Sequence, residues 1–132
     1  MPWKFKGRCV MSGFNFIADT NVLIKLGQGN EQIANLLAAK DISISIITEM
    51  EILAWPQHKP AEIVRAKAMI SHFNIVGLNE SIKDQAILIR RQTKMKLPDA
   101  IIASTALFLG IPLITSDDGF KRVEKLIDVV LI

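Results

Sequence analysis

The sequence predicts an α/β domain with a mostly parallel central sheet of about five strands and helices on both faces. Three observations carry this reading. Short β-branched apolar runs alternate with helical patterns almost throughout. Helix-start and helix-stop residues punctuate the chain between those runs. Acids stand directly after two of the strands, at the edge where an open parallel sheet builds its ligand site.

The elements follow in order. Residues 1 to 13 (MPWKFKGRCVMSG) show no clear period and contain two glycines. They read as an N-terminal extension, poorly ordered or a short edge element, with Met11 as an alternative start. Residues 14 to 132 form a single domain. Phe14 to Ala18 is a strand ending at Asp19, and Asn21 to Leu26 is a short helix stopped by Gly27 and Gly29. Glu31 to Ala39 is helical, with Ile33, Leu36 and Leu37 on one face, and Ile42 to Ile46 is an alternating strand. Thr48 opens the next helix, with Glu51 placed as the third residue of a capping box. Met50, Leu53 and Ala54 mark its expected buried face, and it stops near Trp55-Pro56. Pro60 starts a helix with Ile63, Ala66, Ile70 and Phe73 as its stripe. Ile75 to Leu78 is a strand. Asn79 caps a helix running to Thr93, with Ile82, Ala86 and Ile89 inward. Pro98 begins a helix that ends at Gly110. Pro112 to Thr115 is a strand, Phe120 to Leu126 a short helix, and Asp128 to Ile132 the last strand.

Composition excludes several classes. The chain has 132 residues, half of them apolar, which fits one domain with a real core and excludes intrinsic disorder. One cysteine, Cys9, excludes an internal disulfide framework and a four-cysteine zinc site. Two histidines, His58 and His72, exclude a histidine-rich metal centre, so any metal chemistry must run on carboxylates. The longest apolar stretch, Ala100 to Ile114, falls short of the roughly 20 residues that cross a bilayer. No apolar signal-peptide core follows the N-terminal cations, so a cytoplasmic location is expected. Trp3, Trp55 and Cys9 carry no assignable chemistry at this level.

Five acids occupy corresponding places at strand ends and helix starts. Asp19 follows the first strand, Asp117 and Asp118 follow the fourth, Glu51 lies one helical turn after the second, and Asp99 sits just past Pro98. Each has an ordinary reading as a helix cap or first-turn acid. In a parallel sheet they converge, and converging carboxylates repel unless a hard cation neutralises them. Mg²⁺ or Mn²⁺ suits oxygen ligands and supports hydrolysis or transfer at phosphorus. Periodicity does not choose between Glu49 and Glu51; the capping-box position favours Glu51. The segment Arg90-Arg91-Gln92-Thr93-Lys94-Met95-Lys96 holds four cations and no acid. It is either a solvated helix end complementing its dipole or a patch for a polyanion.

These residues together resemble the PIN-domain ribonucleases. FIADTNVLI, with Asp19, Thr20 and Asn21, is similar to that family's opening motif. SIITEMEIL is similar to the second, whose spacing from the Ser/Thr selects Glu51. KLPDAIIASTAL is similar to the third and gives Asp99. LITSDDGF is similar to the fourth and gives Thr115 and Asp117, with Asp118 a possible helper. The likeness spans Phe14 to Phe120; its departures are the long lead into the first motif and the doubled Asp117-Asp118. Length and motif order resemble the toxin subunits of VapBC-type toxin–antitoxin pairs.

The resemblance implies a Mg²⁺- or Mn²⁺-dependent endoribonuclease, a homodimer, and inhibition by a cognate antitoxin that presents a basic residue to the acidic groove. It implies that Asp19, Glu51, Asp99 and Asp117 hold the metal, supported by Thr20, Asn21 and Thr115. Setting those four acids aside leaves nine acids against sixteen bases, a balance suited to an RNA substrate. Arg90, Arg91, Lys94 and Lys96 are the candidate RNA-backbone contacts. A phosphotransfer domain also places aspartates after parallel strands, but the phosphatase pattern wants an acid where Asn21 stands. A non-catalytic PIN-like module for RNA binding or assembly would usually lack one or more of these acids, and here all are present; a PIN nuclease of RNA processing without a toxin role is a further alternative.

Overall fold

The computed structural model describes residues 15–132. The expected N-terminal extension, and the Phe14 start of the first strand, lie outside the described residues. The elements are β1 (Asn15–Ala18), α1 (Thr20–Gly27), α2 (Glu31–Leu37), β2 (Asp41–Ser45), α3 (Ile46–Leu53), α4 (Pro60–Ile70), β3 (Asn74–Val76), α5 (Glu80–Thr93), α6 (Leu97–Leu109), β4 (Leu113–Thr115), a 3-10 turn (Asp118–Val123) and β5 (Val129–Leu131). Five strands form one sheet in the order β3-β2-β1-β4-β5, and all four pairings are parallel. β1 is therefore central, with later strands added to either side of it. The gap beyond the carboxyl ends of β1 and β4 is the point where strand order reverses.

Alternation along the strands divides the core. Phe16, Ala18, Ile42, Ile44 and Ile114 pack with apolar residues of α1 to α4, among them Leu23, Leu26, Leu37 and Ile70. Ile17 and Leu113 point to the opposite face and pack with Ile102, Ala103, Ala106, Phe120 and Val123. α6 is buried along seven consecutive residues, Ala100 to Ala106, as expected of a helix apolar all round. Its two interior hydroxyls are satisfied: Ser104 donates to the Ile82 carbonyl at 2.7 Å and Thr105 to that of Ile101 at 2.7 Å. α6 ends where Gly110 turns left-handed at φ 67°, a conformation that costs a side-chain-bearing residue more than glycine. No helix among the described residues is long and apolar enough to cross a membrane.

Two local expectations are corrected. α3 starts at Ile46 rather than Thr48, because Ser45 ends β2 and caps the helix at once, its Oγ accepting from the Ile47 amide at 3.1 Å. No capping box forms, and the buried face is Thr48 and Ile52, while Met50 is exposed. The last short helix is a 3-10 turn placed earlier than expected. The Asp117 carboxylate accepts from the Gly119 amide at 2.8 Å and tightens the chain directly after β4.

Candidate active site

Asp19 leaves the end of β1 and caps α1. Its amide donates to the Ile114 carbonyl of β4 at 3.1 Å, and its Oδ1 accepts from the Val22 amide at 3.0 Å. Its other oxygen, Oδ2, accepts from Thr115 Oγ1 at 2.5 Å. Thr115 is fully buried at the end of β4, and its Oγ1 also accepts from the Asp117 amide at 2.9 Å. One hydroxyl thus fixes both acids that follow the two central strands. Asp19 is only 3% exposed, and burial pushes its carboxyl up from the ordinary range. The Thr115 hydroxyl and the Val22 amide oppose that rise, and the neighbouring Asp117 charge adds to it.

Glu51 is exposed on α3 but does not hang free. Thr20 Oγ1 lies 2.6 Å from Glu51 Oε1 and 3.1 Å from Thr48 Oγ1. A hydroxyl has a single proton; the carboxylate takes that of Thr20, so the buried Thr48 hydroxyl donates back to Thr20. The motif that places Thr48 three residues before Glu51 therefore serves as a support inside the fold. Glu51, and not Glu49, lines the cleft beside Thr20.

Asp99 stands in the first turn of α6, held by the most buried helix of the domain. Its carboxyl is also pushed up, first by partial burial and then by the charges of Asp117, Glu51 and Asp19; Lys96 opposes the shift. The four acids selected from the motifs thus share one electrostatic neighbourhood. Asp19, Glu51 and Asp99 line a single cleft of about 340 Å³, together with Thr20 and Asn21. Asp117 acts on this group by charge while capping the following turn. Asp118 lies in that turn and does not line the cleft.

The basic residues are distributed unevenly. Arg90 and Arg91 occupy the last turn of α5, and Lys94 caps it in a left-handed conformation. Lys96 precedes α6, and its charge opposes the upward shift of Asp99. All four are exposed.

The cleft also has an apolar wall that sequence reasoning missed: Ile24, Ala54, Trp55 and Pro56. Helical spacing held part of the signal, since Ile24 lies four residues after Thr20 on α1; Trp55 lies past the end of α3.

Four carboxylates in mutual range form a hard-oxygen donor set whose repulsion a divalent cation would relieve. Among the described residues, no three ligating side chains already stand together as a finished cage. The residues fit a cation by the chemistry of their oxygen donors and not as a preformed cage.

The PIN domain family model matches residues 16–126. No curated protein sequence matches the chain. A chain of a toxin–antitoxin complex from Klebsiella pneumoniae is 34% identical, with 86% of this chain and 94% of that one covered and a TM-score of 0.74. VapBC2 from Rickettsia felis, bound to a DNA fragment from its promoter, superposes with a TM-score of 0.76 at 17% identity, covering 87% and 96% of the two chains. FitAcB from Neisseria gonorrhoeae does so with a TM-score of 0.73 at 21% identity, covering 87% and 96%. The latter two likenesses concern the fold alone.

Proposed function

Because the chain belongs to the PIN-domain family, we propose that it is a divalent-metal-dependent endoribonuclease and the toxin member of a VapBC-type toxin–antitoxin pair. The observation that carries the nuclease reading is the convergence of Asp19, Glu51, Asp99 and Asp117 at the carboxyl ends of β1 and β4. The toxin role is supported by the 34% identical chain from a toxin–antitoxin complex.

In this reading the four acids hold Mg²⁺ or Mn²⁺. When bound, such an ion supplies Lewis-acid stabilisation of charge at phosphorus and lowers the pKa of water. The chain's own groups arrange the rest. Thr115 holds Asp19 with its Oδ2 directed across the β1/β4 gap. Thr20, backed by Thr48, keeps Glu51 at the cleft. Asn21, exposed at the cleft, orients the substrate by hydrogen bonding. Lys96 offsets the acidic charge and meets a backbone phosphate, with Arg90, Arg91 and Lys94 as further contacts along the strand. The protein acts in the cytoplasm as a homodimer, and a cognate antitoxin silences it by presenting a basic residue to the acids. Residues 14–132 are the catalytic domain and residues 1–13 an extension to it.

The test is induced expression of wild type and Asp99→Asn, with RNA 5′-end mapping. Growth arrest and discrete new RNA ends in the wild type alone are expected. Equal behaviour of two folded proteins would refute catalysis, and the non-catalytic RNA-binding reading would replace it.

A further inference from the structure

Trp55 has no part in the acid chemistry, yet it stands on the wall of the acidic cleft. The residue is 57% exposed, a large apolar surface for a type that proteins usually cover. It is exposed at a fixed place. Ala54 caps α3, its amide donating to the Met50 carbonyl at 2.9 Å, and the His58 amide donates to the Trp55 carbonyl at 3.2 Å, closing a turn. Pro56 follows and restricts the backbone of Trp55 to extended conformations. An exposed indole on a pinned backbone loses little freedom when a flat partner lies on it.

The cleft has two chemical halves. Asp19, Glu51 and Asp99 form one; Ile24, Ala54, Trp55 and Pro56 form the other. A ligand that fits both has a charged group that a cation can bridge to carboxylates, attached to a flat apolar face. A nucleotide within a single strand has this division, with phosphate on one side and base on the other.

We infer that Trp55 is the stacking platform for a nucleobase adjoining the scissile phosphate. The inference rests on the nuclease reading and deepens it by naming what seats the substrate. A base within a duplex is already stacked on both faces and has none to give the indole. Stacking accepts every base, so Trp55 seats the strand without reading its sequence.

The test measures binding of an uncleavable 2′-O-methyl RNA 12-mer, in the presence of Mg²⁺, by fluorescence anisotropy. A second set of 12-mers carries one abasic site stepped along the strand. Wild type should lose roughly ten-fold in affinity when the abasic site reaches one position, matching the loss of a single base–aromatic stack. Trp55→Ala should bind the intact 12-mer roughly ten-fold more weakly and be indifferent to that abasic site; Trp55→Phe should recover most of both. Circular dichroism checks folding, and this exposed position should leave the melting temperature unchanged.

If Trp55→Ala binds and discriminates like wild type while RNA is still cut, the stacking role is overturned and the nuclease reading survives. If wild type neither binds nor cuts RNA, both fall. If Trp55→Ala binds RNA normally but loses antitoxin, the wall belongs to the protein partner and the stacking role is overturned.

Discussion

Replacing Thr115 by Val tests how the two central strands are joined at the site. The two side chains have nearly the same shape, so packing in the buried β4 position is conserved while the hydroxyl is lost. Thr115 Oγ1 donates to Asp19 Oδ2 at 2.5 Å and accepts from the Asp117 amide at 2.9 Å, with no exposure to solvent. A hydrogen bond to a charged group contributes about 1.5–3 kcal/mol and a neutral one about 1. The expected cost is therefore about 3 kcal/mol, or roughly 10 °C in melting temperature for a domain of this length. The cost also depends on pH in a defined direction. The folded-state pKa of Asp19 already lies above its ordinary value, and the Thr115 hydroxyl restrains it. Removing that hydroxyl raises it further. Between the unfolded and folded pKa values the native state holds the extra proton, so stability falls as pH rises through that window. The penalty is complete above the folded pKa and shrinks as acid protonates Asp19. Thermal melts of both proteins in metal-free buffer, from about pH 4 to pH 8, should show a gap that widens with pH. A gap below about 2 °C, or one equally wide at every pH, would refute this account of the Asp19 environment.

Two further predictions concern the acids. Thr20→Val removes the bond that holds Glu51 and should lower RNA cleavage about 10- to 100-fold with little change in melting temperature; Thr20→Ser should restore it. Divalent metal should stabilise the fold: Mg²⁺ at about ten times its Kd adds roughly 1.4 kcal/mol to wild type, and Asp99→Asn should lose that increment. Because Asp19 and Asp99 are both shifted upward, the increment should fade on acidification at a higher pH than ordinary carboxylates would require. A Mg²⁺ effect unchanged by Asp99→Asn would place the ion elsewhere.

The alternation of strands and long helices is the most legible feature of the sequence, because its signals are local and repeated. Ile82, Ala86 and Ile89 read as an inward stripe and are buried, and Asn79 reads as a cap and accepts from the Ile82 amide at 2.8 Å. The start of α3 is harder to read because Ser45 and Thr48 both qualify as caps; what decides between them is that Thr48 is buried in the tertiary structure, which a local pattern does not carry. The acids are visible as residue types at strand ends, but their mutual influence depends on the pairing of β1 with β4. Trp55 gives no signal of its own because a tryptophan near a helix end reads as core, and only its position on the cleft wall distinguishes it.

The Thr115–Asp19 bond joins residues 96 positions apart in the chain. β1, first of the described strands, waits for β4 to pair beside it and supply both Thr115 and Asp117. Closing so long a loop is among the slower and more entropically costly steps of folding. The four-acid site is therefore created only once synthesis has passed residue 117. A half-made chain emerging from the ribosome contains Asp19 and Glu51 but no assembled centre, so the four acids come under one another's influence only when the chain is nearly complete.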